Sequence, residues 1–159
     1  MDLLSTRTID ITKLALDGLM ERQKAVTANT ANIMTPGYRR QEVSFERQLK
    51  EIAEQDDLKT MIKEQNSIQY NPTSLDMAME RPNVKLTPQQ IKYLQTDLYG
   101  TYNPQVTEDS VSGGDRTGNN VSIEQEAMDM AKVGTQYSIL TSLEQKSIKL
   151  IEGSIKGEL

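Results

Sequence analysis

The sequence predicts a mainly α-helical protein. Its long N- and C-terminal helices pair as an antiparallel, coiled-coil-like hairpin, with a smaller irregular and helical segment between them. Three observations predict this. Apolar residues recur at helical spacing through both ends of the 159-residue chain. Turn and capping residues mark the inner ends of those two stretches. Hydrophobic residues make up only 36% and aromatics 4%, which is little material for one large core. The resulting organisation is a helix over 1–34, a turn, middle segment and polar linker over 35–117, and a second helix over 118–159.

In the N-terminal helix, Leu4, Ile11, Leu14, Ala15, Gly18, Leu19, Ala25, Val26 and Ile33 fall in one sector of a helical wheel. Ile9, Leu16 and Met20 form a second apolar group on nearly the opposite side, with Asp10, Lys13, Asp17 and Lys24 between. Asn29 lies within the broad stripe and Asn32 at its edge. Two readings stand open for them. A polar amide in a helix seam fixes register and partner at a cost in stability; alternatively, asparagine is simply tolerated near a helix C-terminus. The stop is unambiguous. Pro36 disfavours helix at Thr35, and Pro36-Gly37 suits a type II turn with Gly37 at positive φ. Tyr38 is then placed to fold its ring back on the helix pair.

In the middle, Phe45, Leu49 and Ile52 predict one short helix, and Asp56-Asp57 the start of another through Leu58, Met61 and Ile62. Residues 69–83 have turn residues without a period and read as irregular or partly extended. Thr87, Pro88 and Gln90 give a capping box with proline at the first helical position, opening a helix along Ile91, Leu94 and Leu98 that stops at Gly100. Residues 101–120 read as a polar loop ending in Gly118-Asn119-Asn120. Ser122 and Gln125 then have capping-box spacing. The C-terminal helix repeats the two-sided design. Ile123, Ala127, Met130, Val133, Tyr137, Leu140, Ile148, Ile151 and Ile155 make a broad stripe, and Val121, Met128, Ile139, Leu143 and Leu150 a second one.

Pairing the two broad stripes leaves the second ones over. Each fully buried Leu or Ile is worth about 1.5–3 kcal/mol relative to exposure, so leaving them wet is costly. Either the middle segment covers one helix, or other subunits cover both. The second arrangement assigns Ile9, Leu16, Met20, Ile139, Leu143 and Leu150 to inter-subunit packing. Leu4, Ile11, Leu14, Val26 and Ile33 would then meet Met130, Val133, Tyr137, Leu140 and Ile148 within a subunit.

Other functions fit poorly. The chain has no cysteine and no histidine, so disulfides, thiolate nucleophiles, Cys/His zinc sites and histidine bases are excluded. No cofactor or metal is expected. A net charge of −5 without a basic run argues against nucleic acid and anionic membrane surfaces. Asp56 with Asp57, and Glu124 with Glu126, point apart or cap helices rather than forming an acid/base pair, and the glycines at 113–118 match no phosphate loop. No catalytic residue and no small-molecule substrate are expected. The N-terminus has no basic region followed by an apolar one, as a cleaved signal would. A cytoplasmic helical adaptor would also carry spare apolar stripes.

Asn29-x-Ala31-Asn32 followed by Thr35-Pro36-Gly37-Tyr38-Arg39-Arg40 resembles the N-terminal signature of bacterial flagellar rod, hook and hook-associated axial proteins. Residues 40–49, and Gly118-Asn119-Asn120 with the helix bearing Tyr137, resemble the FlgB-type proximal rod family in particular. The likeness covers roughly 5–50 and 115–157 and leaves 51–114 unsupported. Thr117 and Ile33-Met34 depart from the usual pattern, which keeps the FlgC type as an alternative. The resemblance implies a structural, helically assembling subunit of the basal-body drive shaft, packed by its terminal helices around the export channel. It implies type III export without a cleaved signal and a periplasmic site. The implied partners are copies of itself, neighbouring rod proteins, and membrane-ring and export-gate components. Asn29, Ala31, Asn32, Thr35, Pro36, Gly37, Tyr38, Gly118, Asn119, Asn120 and Tyr137 would be the assembly motif.

Overall fold

A computed structural model describes residues 6–67, 86–109, 114 and 116–156. The elements are α1 (Thr6–Ala31), β1 (Gln41–Ser44), α2 (Glu46–Ser67), α3 (Pro88–Gln95), β2 (Gln105–Glu108) and α4 (Ile123–Lys156). The chain divides into two compact units, Met1–Leu49 with Tyr102–Leu159, and Lys50–Thr101. The expected helical hairpin is present: α1 packs antiparallel on α4 in the first unit. Leu4, the irregular stretch 69–83 and Gly157 lie outside the described residues.

The seam of the hairpin differs from the expected stripes. On α4 the buried positions are Glu126, Val133 and Ser147, with Leu140 packed against the core. These four stand seven residues apart, the period at which two helices stay in contact as they wind together. Met130, Tyr137 and Ile148, expected inside the subunit, are therefore turned to an exposed flank. On α1 the expectation was closer. Leu19, Ala25 and Val26 are buried, as are Thr12 and Asn29.

The core of this unit is small: Leu19, Ala25, Val43, Phe45 and Val133, with Leu49, Tyr102 and Leu140 packed around it. Phe45 sits on the backbone of α1 at Gly18. A Cβ there would stand 2.5 Å from Phe45 Cγ and 2.7 Å from the Tyr102 hydroxyl. Tyr102 donates to the Leu14 carbonyl at 2.8 Å. Burial, then the nearby Asp17 and Glu46 carboxylates, push its phenol up to about 12. Gly134, on α4, meets nothing within 4 Å of a built Cβ. The two glycines should therefore respond with opposite signs. Gly18→Ala should destabilise by about 1–3 kcal/mol through overpacking. Gly134→Ala should stabilise the dilute chain by up to about 1 kcal/mol through helix propensity. Urea unfolding of both variants checks this.

Two further expectations are corrected. Residues 46–67 form one helix, not two, so Asp56 and Asp57 lie in its interior rather than at a start. The linker contributes a strand: β2 pairs antiparallel with β1 in the register Gln41–Glu108 to Ser44–Gln105. A lone two-stranded ribbon is marginal in water. Here the outer edge of β1 is held by side chains of α1. Asn29 bonds both backbone groups of Gln41, and Arg22 donates to the Val43 carbonyl at 2.8 Å while its guanidinium lies 4.7 Å over the Phe45 ring.

In the second unit, α3 opens on the expected capping box. Gln90 N–H donates to Thr87 Oγ1 at 3.3 Å, and Thr87 N–H donates to Gln90 Oε1 at 2.9 Å. Its other end is capped from α2. Gln55, fully buried, donates to the Tyr93 and Thr96 carbonyls at 2.6 and 2.9 Å. Tyr93 donates in return to the Glu51 carbonyl at 2.6 Å, and the Tyr99 hydroxyl bonds the Asp56 carboxylate.

Candidate functional site

The motif residues from both halves of the sequence, Tyr137 apart, converge at one end of the hairpin. Asn29 is the centre. It is 0% exposed, and both ends of its amide are used fully. Its Nδ2 donates to the Gln41 carbonyl at 2.9 Å and to Glu126 Oε2 at 3.1 Å. Its Oδ1 accepts from the Gln41 N–H at 2.8 Å and the Tyr38 hydroxyl at 3.2 Å. One side chain thus ties α1 to β1, to α4 and to the ring that folds back after the turn. Of the two readings open for the asparagines, Asn29 takes the seam role.

Asn32 takes the other. Its side chain donates to the Ala28 carbonyl at 2.9 Å and accepts from the Thr35 hydroxyl at 3.1 Å, closing the end of α1. The chain then reverses at Thr35-Pro36-Gly37-Tyr38. Tyr38 N–H donates to the Thr35 carbonyl at 3.2 Å with Gly37 at φ 73°, as the expected type II turn requires. Burial, then the charges of Glu126 and Glu108, raise the Tyr38 phenol above its ordinary value.

The Gly-Asn-Asn element secures the same end from the other side. Asn119 Nδ2 donates to the carbonyls of Asn32, Ile33 and Thr35 at 2.9, 3.0 and 2.9 Å, capping the open end of α1. Its Oδ1 accepts from Val121 N–H at 2.9 Å. Asn120 Oδ1 accepts from Arg40 N–H at 2.7 Å, and its Nδ2 donates to the Asp109 carbonyl at 2.9 Å. Gly37 N–H donates to the Thr117 carbonyl at 3.0 Å, and Gly118 has φ 81°, so the two loops lie backbone to backbone. A side chain at Gly118 would adopt a conformation that L-residues rarely hold.

Four charged residues are central to this clasp: Arg40, which closes the quoted motif, Glu126, which reads from sequence as a first-turn carboxylate, and Asp109 and Asp129, which nothing in the sequence marks. Arg40 is buried, and its guanidinium faces three carboxylates. Nε donates to Glu126 Oε1 at 2.7 Å, Nη2 to Asp129 Oδ2 at 2.7 Å, and Nη1 lies 3.8 Å from Asp109 Oδ2. Burial lowers the Arg40 pKa, but the Glu126 hydrogen bond and the surrounding negative charge more than offset it, leaving a net rise. Glu126 is 1% exposed, with one oxygen on Arg40 and the other on Asn29. A signal existed for Glu126: it sits seven residues before Val133, on the seam, where a lone carboxylate demands a buried partner.

The remaining expected residues line the surface of the clasp or lie away from it. Ala31, Pro36 and Gly37 are exposed at the turn, and Tyr137 stands well along α4. Met20 and Ile139 are exposed, while Ile9, Leu16, Leu143 and Leu150 are half-buried. Among the described residues, no group of His, Cys, Asp or Glu is placed to hold a metal ion. No described helix is long and apolar enough to cross a membrane.

The fold and its clasp define a helical-hairpin protein whose most ordered chemistry is a buried hydrogen-bonded joint. No family model matches the chain. A curated protein of Borreliella burgdorferi, flagellar basal body rod protein FlgB, is 24% identical over 150 residues. The alignment covers 94% of this chain and 96% of that protein.

Proposed function

We propose that this chain is a structural subunit of the bacterial flagellar rod, of the FlgB-like proximal type, and not an enzyme. The observation that carries the reading is the apolar surface left open along the hairpin. Met128 is 67% exposed, Ile139 62% and Met20 46%, with Met130, Tyr137 and Ile148 also open. Such residues on a long helix pair are surface for other helices to cover. The near end-to-end similarity to a rod protein supports the same direction.

In this reading the hairpin is the packing element, standing among like hairpins around the export channel. The clasp is its joint. It fixes the register of α1 against α4 and locks the turn that follows α1. Neighbouring rod proteins, membrane-ring and export-gate components would be its partners, and type III export would deliver it to the periplasmic basal body.

The test is a complementation experiment. A strain lacking this chain, given Met20→Asp, should make the protein at normal level yet form no rod and no flagellum. The purified variant should unfold in urea like the parent. A motile, flagellated strain would contradict an inter-subunit role for α1. Wild-type chain that stays in the soluble cytoplasmic fraction, away from basal bodies, would favour an adaptor instead.

A further inference from the structure

We infer that the helix pair carries a methionine redox switch: a peroxide converts Met20, Met128 and Met130 of the free subunit to sulfoxides, which closes its apolar flanks to other copies; this rests on the rod-subunit reading above. The observation is a sorting of two residue types. Among the described residues the methionines are Met20, Met34, Met61, Met128 and Met130, and every one is exposed. No described leucine is exposed. Methionine and leucine are close in volume and hydrophobicity, and both ordinarily belong to cores. What sets methionine apart is a flexible, polarisable thioether, and here the thioethers all face outward.

The sequence has no cysteine, no histidine and no tryptophan, so these thioethers are its most readily oxidised groups. In the free subunit a peroxide reaches them without any opening of the fold. Each sulfur gains one oxygen atom and gives up two electrons; the peroxide O–O bond breaks, and its other oxygen leaves as water. The product is a polar sulfoxide, and a thiol-dependent reductase returns it to the thioether. Three of the sites lie on the helix pair. Met20 borders a shallow groove on α1 with Gln23, Lys24, Thr27, Ala28 and Ala31. Met128 and Met130 stand on α4 outside its seam of Glu126 and Val133. On the lone subunit a sulfoxide oxygen at these positions stays hydrated and leaves the fold undisturbed. Under the apolar surface of a neighbour it would lose that water with no donor in return, which is costly. The subunit is therefore sensitive before assembly and shielded after it.

The experiment treats the full purified chain with hydrogen peroxide at high dilution, locates the added oxygen by peptide mass spectrometry, and then measures self-association by sedimentation and stability by urea unfolding. The parent should take up oxygen at Met20, Met128 and Met130, unfold in urea as before, and associate at least about tenfold more weakly, the effect of one buried unpaired acceptor. A methionine sulfoxide reductase pair acting on both epimers, with a thiol, should restore association. The triple variant Met20→Leu, Met128→Leu and Met130→Leu keeps every other methionine and the apolar flanks. It should associate like the parent and lose nothing to peroxide. Oxidised parent that associates like untreated chain, or a triple variant that peroxide weakens as much as the parent, would overturn the switch and leave the rod reading intact. So would oxidised parent that has lost urea stability, since unfolding would then explain the loss. A parent chain that never associates at any concentration would overturn both.

Discussion

Arg40→Ala is expected to cost about 3–5 kcal/mol of folding stability, the range for removing one partner of a buried ion pair. The size follows from what is left behind. Glu126 is 1% exposed and would be left with only the Asn29 amide to meet its carboxyl group. Asp129 and Asp109 would face it without the cation between them. Arg40→Lys should recover only part of the loss, because a single ammonium cannot reach Glu126 and Asp129 with the fixed fork of a guanidinium. Arg40→Leu combined with Glu126→Leu should be less damaging than Arg40→Ala alone, since it removes the stranded charge as well as its partner. Urea denaturation of the three variants measures all of this. Equal losses in the Arg40→Ala and double variants would mean that the charge on Glu126 is not what makes the single change costly.

Asn29→Leu is the second large effect, and its sign separates the structure from the pattern. By spacing alone, leucine belongs there: the position continues the stripe through Val26. The structure gives the opposite expectation. Leucine would strand the N–H and carbonyl of Gln41, one oxygen of Glu126 and the Tyr38 hydroxyl. Each buried group left unpaired costs about 1–3 kcal/mol, so a total loss of about 3 kcal/mol or more is expected. The outer edge of β1 should loosen with it, seen as faster hydrogen exchange at Gln41. An Asn29→Leu chain as stable as the parent would show that the amide is dispensable.

The helical parts of this fold were legible because they obey local rules. The capping box at Thr87 and the type II turn at Pro36-Gly37 both appear where residue type demanded them. The strand pair was not legible. Residues 105–108 all lie on the surface, with no alternation of apolar and polar residues to mark them, and their pairing is fixed by groups distant in sequence. The two helices expected over 46–67 merged because Asp56 is held inside a continuous helix by Tyr99 and Lys59, so it does not act as a helix start. The seam of α4 was misread for a related reason. Its contact line carries Glu126 and Ser147, which a search for apolar residues passes over, while Met130 and Tyr137 drew the stripe one flank away. The clasp was half legible. Its asparagines and glycines stand out as helix-stop chemistry, whereas the pairing of Arg40 in the motif with Glu126 in the first turn of α4 joins residues 86 positions apart, which no local spacing marks.

The seam also thins along its length. Near the clasp it buries Leu19, Ala25, Val26 and Val133; farther out, among the described residues, Thr12 and Ser147 alone are buried, and both hydroxyls bond their own helix. In the proposed assembly, other copies would cover the apolar flanks and hold the outer part of the hairpin. Hydrogen exchange along α4, in dilute monomer and then in the assembled state, tests this most directly. Protection should be strong from Glu126 to Leu140 in the monomer, fall away toward Lys156, and extend through the whole helix on assembly. A dilute, monodisperse chain protected as strongly near Lys156 as at Glu126 would contradict it.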